Sequence, residues 1–263
     1  CNAAGARGGV QGEYSHAVNC KDMSTSATPA MRQYLEAKGQ YRDAILFFRM
    51  GDFYEMFYED ALLAARTLEL TLTSRSQDAA GGGIPMCGVP FHAADTYIAR
   101  LVKKGYRVAI CDQVEDPRKA KGIVRREVVR VVSPGTFTDS SYLDAREPAF
   151  LMAVHRLEHK ERPSIGVALL DVSTGEFTAA EYGGADGAQA FADEVAVLRP
   201  REVIVAGDPS SSDVAAAQQA AAHAWPALAS AGLPLTPVDG WVFDPETARR
   251  TLLDQLRAGG LEG

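Results

Sequence analysis

The densest gathering of chemically versatile side chains in this sequence is residues 47–58, FFRMGDFYEMFY, where four phenylalanines and two tyrosines crowd around Gly51. Asp52 as a helix N-cap with Glu55 three residues later forms a capping box, and Phe53 and Phe57 then share one helix face. A second set is acidic. Asp171 ends an expected strand, Glu176 follows a hairpin turn, and Asp193 and Glu194 lie on the next helix. Carboxylates that converge within about 4 Å of two shared metals make a nuclease site, whereas a single strand-end aspartate serves equally to cap a turn.

Other chemistry has few footholds. The dipeptide Gly-Lys does not occur, which excludes a P-loop of the Gly-x-x-x-x-Gly-Lys-Ser/Thr kind. There is no Gly-x-Ser-x-Gly, no His-Glu-x-x-His and no deaminase signature, and Gly81, Gly82 and Gly83 lack the spacing of a dinucleotide fingerprint. The residues present are therefore read as non-enzymatic, with a metal-dependent nuclease on the second half as the alternative. Cys1, Cys20, Cys87 and Cys111 have no Cys-x-x-Cys spacing, and His16 and His92 form no ligand cluster with them. Free thiols in a reducing cytoplasm are expected, with no metal.

The elements that must position these residues alternate. Thr28-Pro29 opens a helix that runs to Gly39. Residues 44–49 (AILFFR) suit a buried strand, and residues 52–68 carry apolar side chains at the helical period, giving strand, tight turn, helix. Residues 70–73 are a short strand candidate, and the glycine-rich stretch 81–83 opens a loop that continues through Ile84-Pro85-Met86. A helix over 92–104 ends at Gly105, followed by strands over 107–111 and 124–132. The polar stretch 136–146 holds the domain boundary. Beyond it, residues 150–155, 165–171 and 176–180 read as strands, 188–198 as a helix and 202–206 as another buried strand. Asp244-Pro245 opens a last amphipathic helix with little left to pack on, so the chain reads as truncated. At the other end, residues 1–27 are expected as a disordered tail, with Met23 the natural start.

Composition sets the frame. With 263 residues, 46% hydrophobic and 23% charged, the chain is long enough for two cores. No stretch approaches the roughly 20 apolar residues of a membrane span. The net charge of −7 argues against a protein that coats nucleic acid, yet residues 100–130 hold ten basic residues against four acidic ones. Arg125 and Arg126 belong to that stretch, whose plain reading is a solvated charged face.

Four blocks in order carry a resemblance: residues 47–61 (FFRMGDFYEMFYEDA), 84–92 (IPMCGVPFH), 109–116 (AICDQVED) and 128–136 (VVRVVSPGT). They look like the N-terminal mismatch-recognition domain of the MutS family. Residues 168–177 (ALLDVSTGEF) are similar, more loosely, to that family's connector domain. The fold implied is α/β in two domains, a mixed-sheet mismatch-recognition domain at 28–137 and an RNase H-like connector at 148–240. A linker at 138–147 joins them, and 241–263 begins the family's helical core.

The resemblance places the family's Phe-x-Glu reader on Phe53 and Glu55. An aromatic wedge pushed in from the minor groove unstacks a base step, and a mispaired step is cheaper to deform. Glu55, disfavoured as an anion among phosphates, is expected to protonate and donate to the displaced base. Backbone contacts are expected from Met50, Gly51, Arg75, the loop bearing Pro85 and Met86, and His92. Arg49 is either a further contact or a structural partner. The implied partners are mismatched double-stranded DNA, a second copy in a full-length homodimer, and a MutL-type protein on the connector, with no membrane. ATP and Mg are implied only for a family ATPase domain that this sequence lacks.

Overall fold

The computed structural model describes residues 28–77, 83–115, 122–137, 148–157, 163–208 and 214–261. The expected tail at 1–27, the glycines Gly81 and Gly82, the basic residues Arg118, Lys119 and Lys121, and the expected linker at 138–147 lie outside the described residues.

Helix α1 (Pro29–Gln40) starts as its sequence directs, with the Thr28 hydroxyl accepting from the Met31 N–H and Pro29 in the first turn. Strand β1 (Ala44–Met50) then turns back into β2 (Phe53–Phe57), and α2 (Tyr58–Leu68) follows at once. The helix expected from residue 52 therefore begins six residues later. The reason lies in two-sided pairing: β2 runs antiparallel to β1 on one side and to β4 (Gly83–Pro90) on the other. A short run that is apolar on both faces satisfies either period, and long-range pairing chooses the strand. The capping box is overturned with it, because Asp52 sits in a turn and Glu55 on a strand.

Strand β3 (Thr73–Gln77) begins where the expected short strand ends. The expected loop over 84–86 is part of β4. A 3-10 turn at Phe91–Ala93 leads to α3 (Ala94–Lys103), β5 (Arg107–Gln113) and β6 (Arg126–Val132). The sheet order is β3-β4-β2-β1-β5-β6, with β1 and β5 parallel and the other pairs antiparallel. Helices cover both faces. Ile45, Phe47, Tyr54 and Met56 face α2 and α3, whereas Leu46, Phe48 and Phe57 face α1. Two cores were expected for the whole chain; this unit alone has two, because its sheet is buried on both sides.

The second unit consists of β7 (Phe150–Leu157), β8 (Ser164–Asp171), β9 (Phe177–Gly183), α4 (Gly187–Leu198), β10 (Glu202–Gly207), α5 (Val214–Ala224), α6 (Pro226–Ser230) and β11 (Leu235–Asp239). Its sheet runs β11-β10-β7-β8-β9, an antiparallel meander extended by two parallel strands. Counted within the unit the order is 3-2-1-4-5 reversed, the RNase H-like arrangement. Met152, Val154, Phe191, Val203, Val205 and Trp225 fill its core. Helix α7 (Pro245–Leu256), capped by Asp244 accepting from the Thr247 N–H at 2.9 Å, buries no residue.

One carboxylate stitches the units together. Glu202, 3% exposed, accepts from the Ser133 hydroxyl at 2.5 Å and the Gly135 N–H at 2.8 Å, and its other oxygen accepts from Thr236 at 2.5 Å. Gly135 has to be a glycine there, since a Cβ would stand 2.6 Å from Leu151 and 2.8 Å from Glu202. No helix among the described residues is long and apolar enough to cross a membrane.

Candidate nucleic-acid interface

The β1–β2 hairpin has a two-residue turn, with Met50 opposite Phe53 and Gly51 at φ +59°, a backbone region that favours glycine. Of the aromatic run 47–58, the five rings other than Phe53 turn inward: Phe47, Phe48, Tyr54 and Phe57 are buried and Tyr58 is half-buried. Phe53 is 47% exposed at the tip. Glu55, two residues along on the same strand face, is buried at 6% exposure beside Gly88, its register partner. A Cβ at Gly88 would stand 3.3 Å from the Tyr54 carbonyl oxygen and in ordinary contact, 3.5 Å, with the Glu55 Cγ.

The tip is held from behind. Tyr54 donates its hydroxyl proton to Asp112 at 2.9 Å, and burial followed by that carboxylate pushes the phenol up to about 12. Arg126 donates to the Arg49 carbonyl at 2.6 Å and lies over the Phe48 ring at 5.3 Å, burial lowering its pKa. Arg126 is thus a structural brace rather than a solvated charge. Its neighbour Arg125 is exposed and pairs with Glu127.

The base of the hairpin is fixed by Asp60, 6% exposed on α2. Asp60 accepts from the Leu46 N–H at 3.0 Å, from Lys38 at 2.9 Å and from the Tyr34 hydroxyl at 3.2 Å. Tyr34 also donates to the Phe57 carbonyl at 3.0 Å, where the chain passes from strand to helix with Tyr58 at φ +53°. Burial first, then Asp60, raises the Tyr34 phenol well above its ordinary value.

The expected site residues fall into two groups. Met50, Gly51, Phe53 and His92 cluster at the tip, with His92 exposed in the turn after β4 and its ring edge-on to Phe91. Arg75, Pro85 and Met86 belong to the other end: Pro85 pairs with Ser74 on β3, and Met86 pairs with Phe57. From Pro90, the partner of Phe53, to Met86 the strand runs about 13 Å, at about 3.3 Å per residue. Met86 is buried, its sulfur accepting from the Thr73 hydroxyl. Phe91 and Asp112 are the residues that sequence reasoning missed, and Arg126 is the one it named only as a solvated charge. Phe91 lies inside a quoted block beside His92, but only pairing of β2 with β4 brings it to the tip.

The acidic set of the second unit does not converge. Asp171 is a turn cap whose Oδ1 accepts from the Ser173 hydroxyl at 2.6 Å and the Ser173 N–H at 2.9 Å. Those bonds lower its pKa. Asp193 is exposed and accepts from Gln189 on its own helix. Among the described residues no three His, Cys, Asp or Glu side chains stand close enough to hold a metal. Cys87 and Cys111 are buried thiols, and burial pushes them up to about 11 and about 12.

Comparison with known proteins settles the family. The model of MutS domain I matches residues 28–141, and that of MutS domain II matches residues 149–263. The chain belongs to the MutS family. Among curated relatives, DNA mismatch repair protein MutS of Symbiobacterium thermophilum is 44% identical over 90% of this chain and 26% of its own length. That of Syntrophomonas wolfei is 46% identical over 89% and 26%, and that of Syntrophobacter fumaroxidans 47% identical over 90% and 25%. The chain thus spans about a quarter of the length of the MutS proteins it matches.

Proposed function

We propose that this chain recognises mismatches in double-stranded DNA for mismatch repair, with Phe53 as the wedge. The carrying observation is that Phe53 alone of the aromatic run points its ring to solvent from a hairpin whose other rings are buried. Insertion unstacks one base step at a cost of a few kcal/mol, and a mispaired step yields more cheaply than a paired one. Glu55 then contacts the displaced base, on a rotamer that carries its carboxyl out from beside Gly88. Met50, Gly51 and His92 meet the backbone next to the wedge, and Arg75 and Pro85 meet it farther along. The sequence block containing Met86 supports a contact through its main chain.

The second unit is read as the connector between this reader and an ATPase encoded outside the present sequence, where ATP and Mg act. Residues 138–147 are read as the linker and residues 241–263 as the lead-in to the next domain. A homodimer and a MutL-type partner on the connector complete the reading, which belongs to a cytoplasmic protein.

The test uses the full-length protein at fixed salt, comparing affinities for a G·T-containing duplex and its matched counterpart. Wild type prefers the mismatch and Phe53→Ala loses that preference. Equal preference in both proteins makes Phe53 an ordinary surface residue and removes the main support of the assignment.

A further inference from the structure

A wedge works only if its mount does not fold back when pushed against a base stack. The mount here is a turn of two exposed residues, Gly51 and Asp52, and it faces a particular weakness: Pro90, the register partner of Phe53, has no N–H to give the ladder. Two other donors take over. The Arg49 Nε donates to the Gly51 carbonyl at 2.5 Å, and the Phe91 N–H donates to the Asp52 carbonyl at 2.9 Å. The two donors are also joined to each other, because the Arg49 guanidinium lies over the Phe91 ring with Cζ 3.8 Å from its centroid. The Tyr54 ring stands on another side of the same guanidinium at 5.5 Å, and Arg126 holds the Arg49 carbonyl. The guanidinium is thus held by its Nε bond and by the Phe91 ring, and Phe91 itself remains 46% exposed.

We propose that Arg49 and Phe91 are positioning residues for Phe53, a cation–π clamp that ties both carbonyls of the wedge turn. The proposal rests on the reading of Phe53 as the wedge. Lysine cannot replace Arg49, since it lacks both the Nε donor and the planar face. Tyrosine can replace Phe91, since it keeps the ring.

The experiment measures mismatched and matched duplex affinities, their salt slopes and the melting temperature for full-length Arg49→Lys, Phe91→Leu and Phe91→Tyr, each with and without Phe53→Ala. Arg49→Lys and Phe91→Leu are expected to lower the mismatch-to-match ratio about fivefold to tenfold, with matched affinity, salt slope and melting temperature unchanged. Phe91→Tyr keeps the wild-type ratio, and in the Phe53→Ala background neither Arg49→Lys nor Phe91→Leu changes it further, the signature of acting through that ring. A wild-type ratio in Arg49→Lys beside a defective Phe53→Ala overturns the clamp alone. Equal weakening on both duplexes with a shallower salt slope also overturns it, by making Arg49 a phosphate contact. A wild-type ratio in Phe53→Ala overturns the wedge, and the clamp with it.

Discussion

Two hairpins in this molecule present an exposed phenylalanine just after a glycine turn, and they are built to opposite ends. At β1–β2 the turn glycine is Gly51 at φ +59° and the ring is Phe53; at β8–β9 they are Gly175 at φ +78° and Phe177, 58% exposed. Strand β2 has a neighbour on each side and a core on each face. Strand β9 is an edge, paired only with β8, and most of its residues are exposed. The first turn is tied by Arg49 and Phe91, the second by Asp171 accepting from Ser173 within its own loop. Exposure of a ring is therefore common to both, and a paired strand on each side belongs to one. The wedge proposed for Phe53 needs such backing, and a side chain that merely sits on an edge strand does not.

Several changes break or sharpen this contrast. The largest effect is expected at Asp60, whose removal leaves Lys38, the Tyr34 hydroxyl and the Leu46 N–H without their shared acceptor. Asp60→Ala should lower stability by about 3–5 kcal/mol in denaturant melts; a loss below 1 kcal/mol would mean that the hairpin base is held by packing alone. Next, Gly51→Ala meets no steric obstacle but forces an alanine to φ +59°, at about 1–2 kcal/mol. Gly175→Ala should cost a similar amount, yet only the first should also lower the mismatch-to-match ratio.

Smaller is the acid response of the second hairpin. Hydrogen bonds from Ser173 hold the Asp171 carboxyl below its ordinary value of about 3.9. Its contribution is complete above that unfolded value and is lost as pH falls through the lower folded one. Asp171→Asn should flatten the fall in melting temperature below about pH 4, and an unchanged acid limb would remove Asp171 as its source. Smallest, Phe177→Ala should leave both the ratio and the stability within about 0.5 kcal/mol of wild type.

The sequence carried the second unit better than the first. Strands β7, β8 and β10 and helix α4 announce themselves through local period and turn residues, and α1 and α7 through Thr28-Pro29 and Asp244-Pro245. What stayed hidden was decided at a distance. Residues 53–57 read as helix because their apolar positions fit that period, and only pairing with β4, about thirty residues on, makes them a strand. Strand β4 itself was masked by Pro85 and Pro90, and β11 by Pro237, prolines tolerated where a ladder N–H is dispensable. The candidate site divides the same way. Phe53 and Glu55 were named from the family resemblance, whereas Arg126, Asp112 and Phe91 reach the hairpin from three other segments, and nothing in their own neighbourhoods tells which strand they back.

The shared carboxylate of Glu202 has a kinematic consequence. Ser133 and Gly135 come from the first unit and Thr236 from the second, so one buried side chain is a member of both bodies at once. The Ser133 and Gly135 donors sit on the same carboxylate oxygen at 2.5 and 2.8 Å, so a tilt of one body on the other strains both bonds together. Displacing one body on the other therefore breaks the bonds of a buried carboxylate, which makes this joint a latch rather than a free hinge.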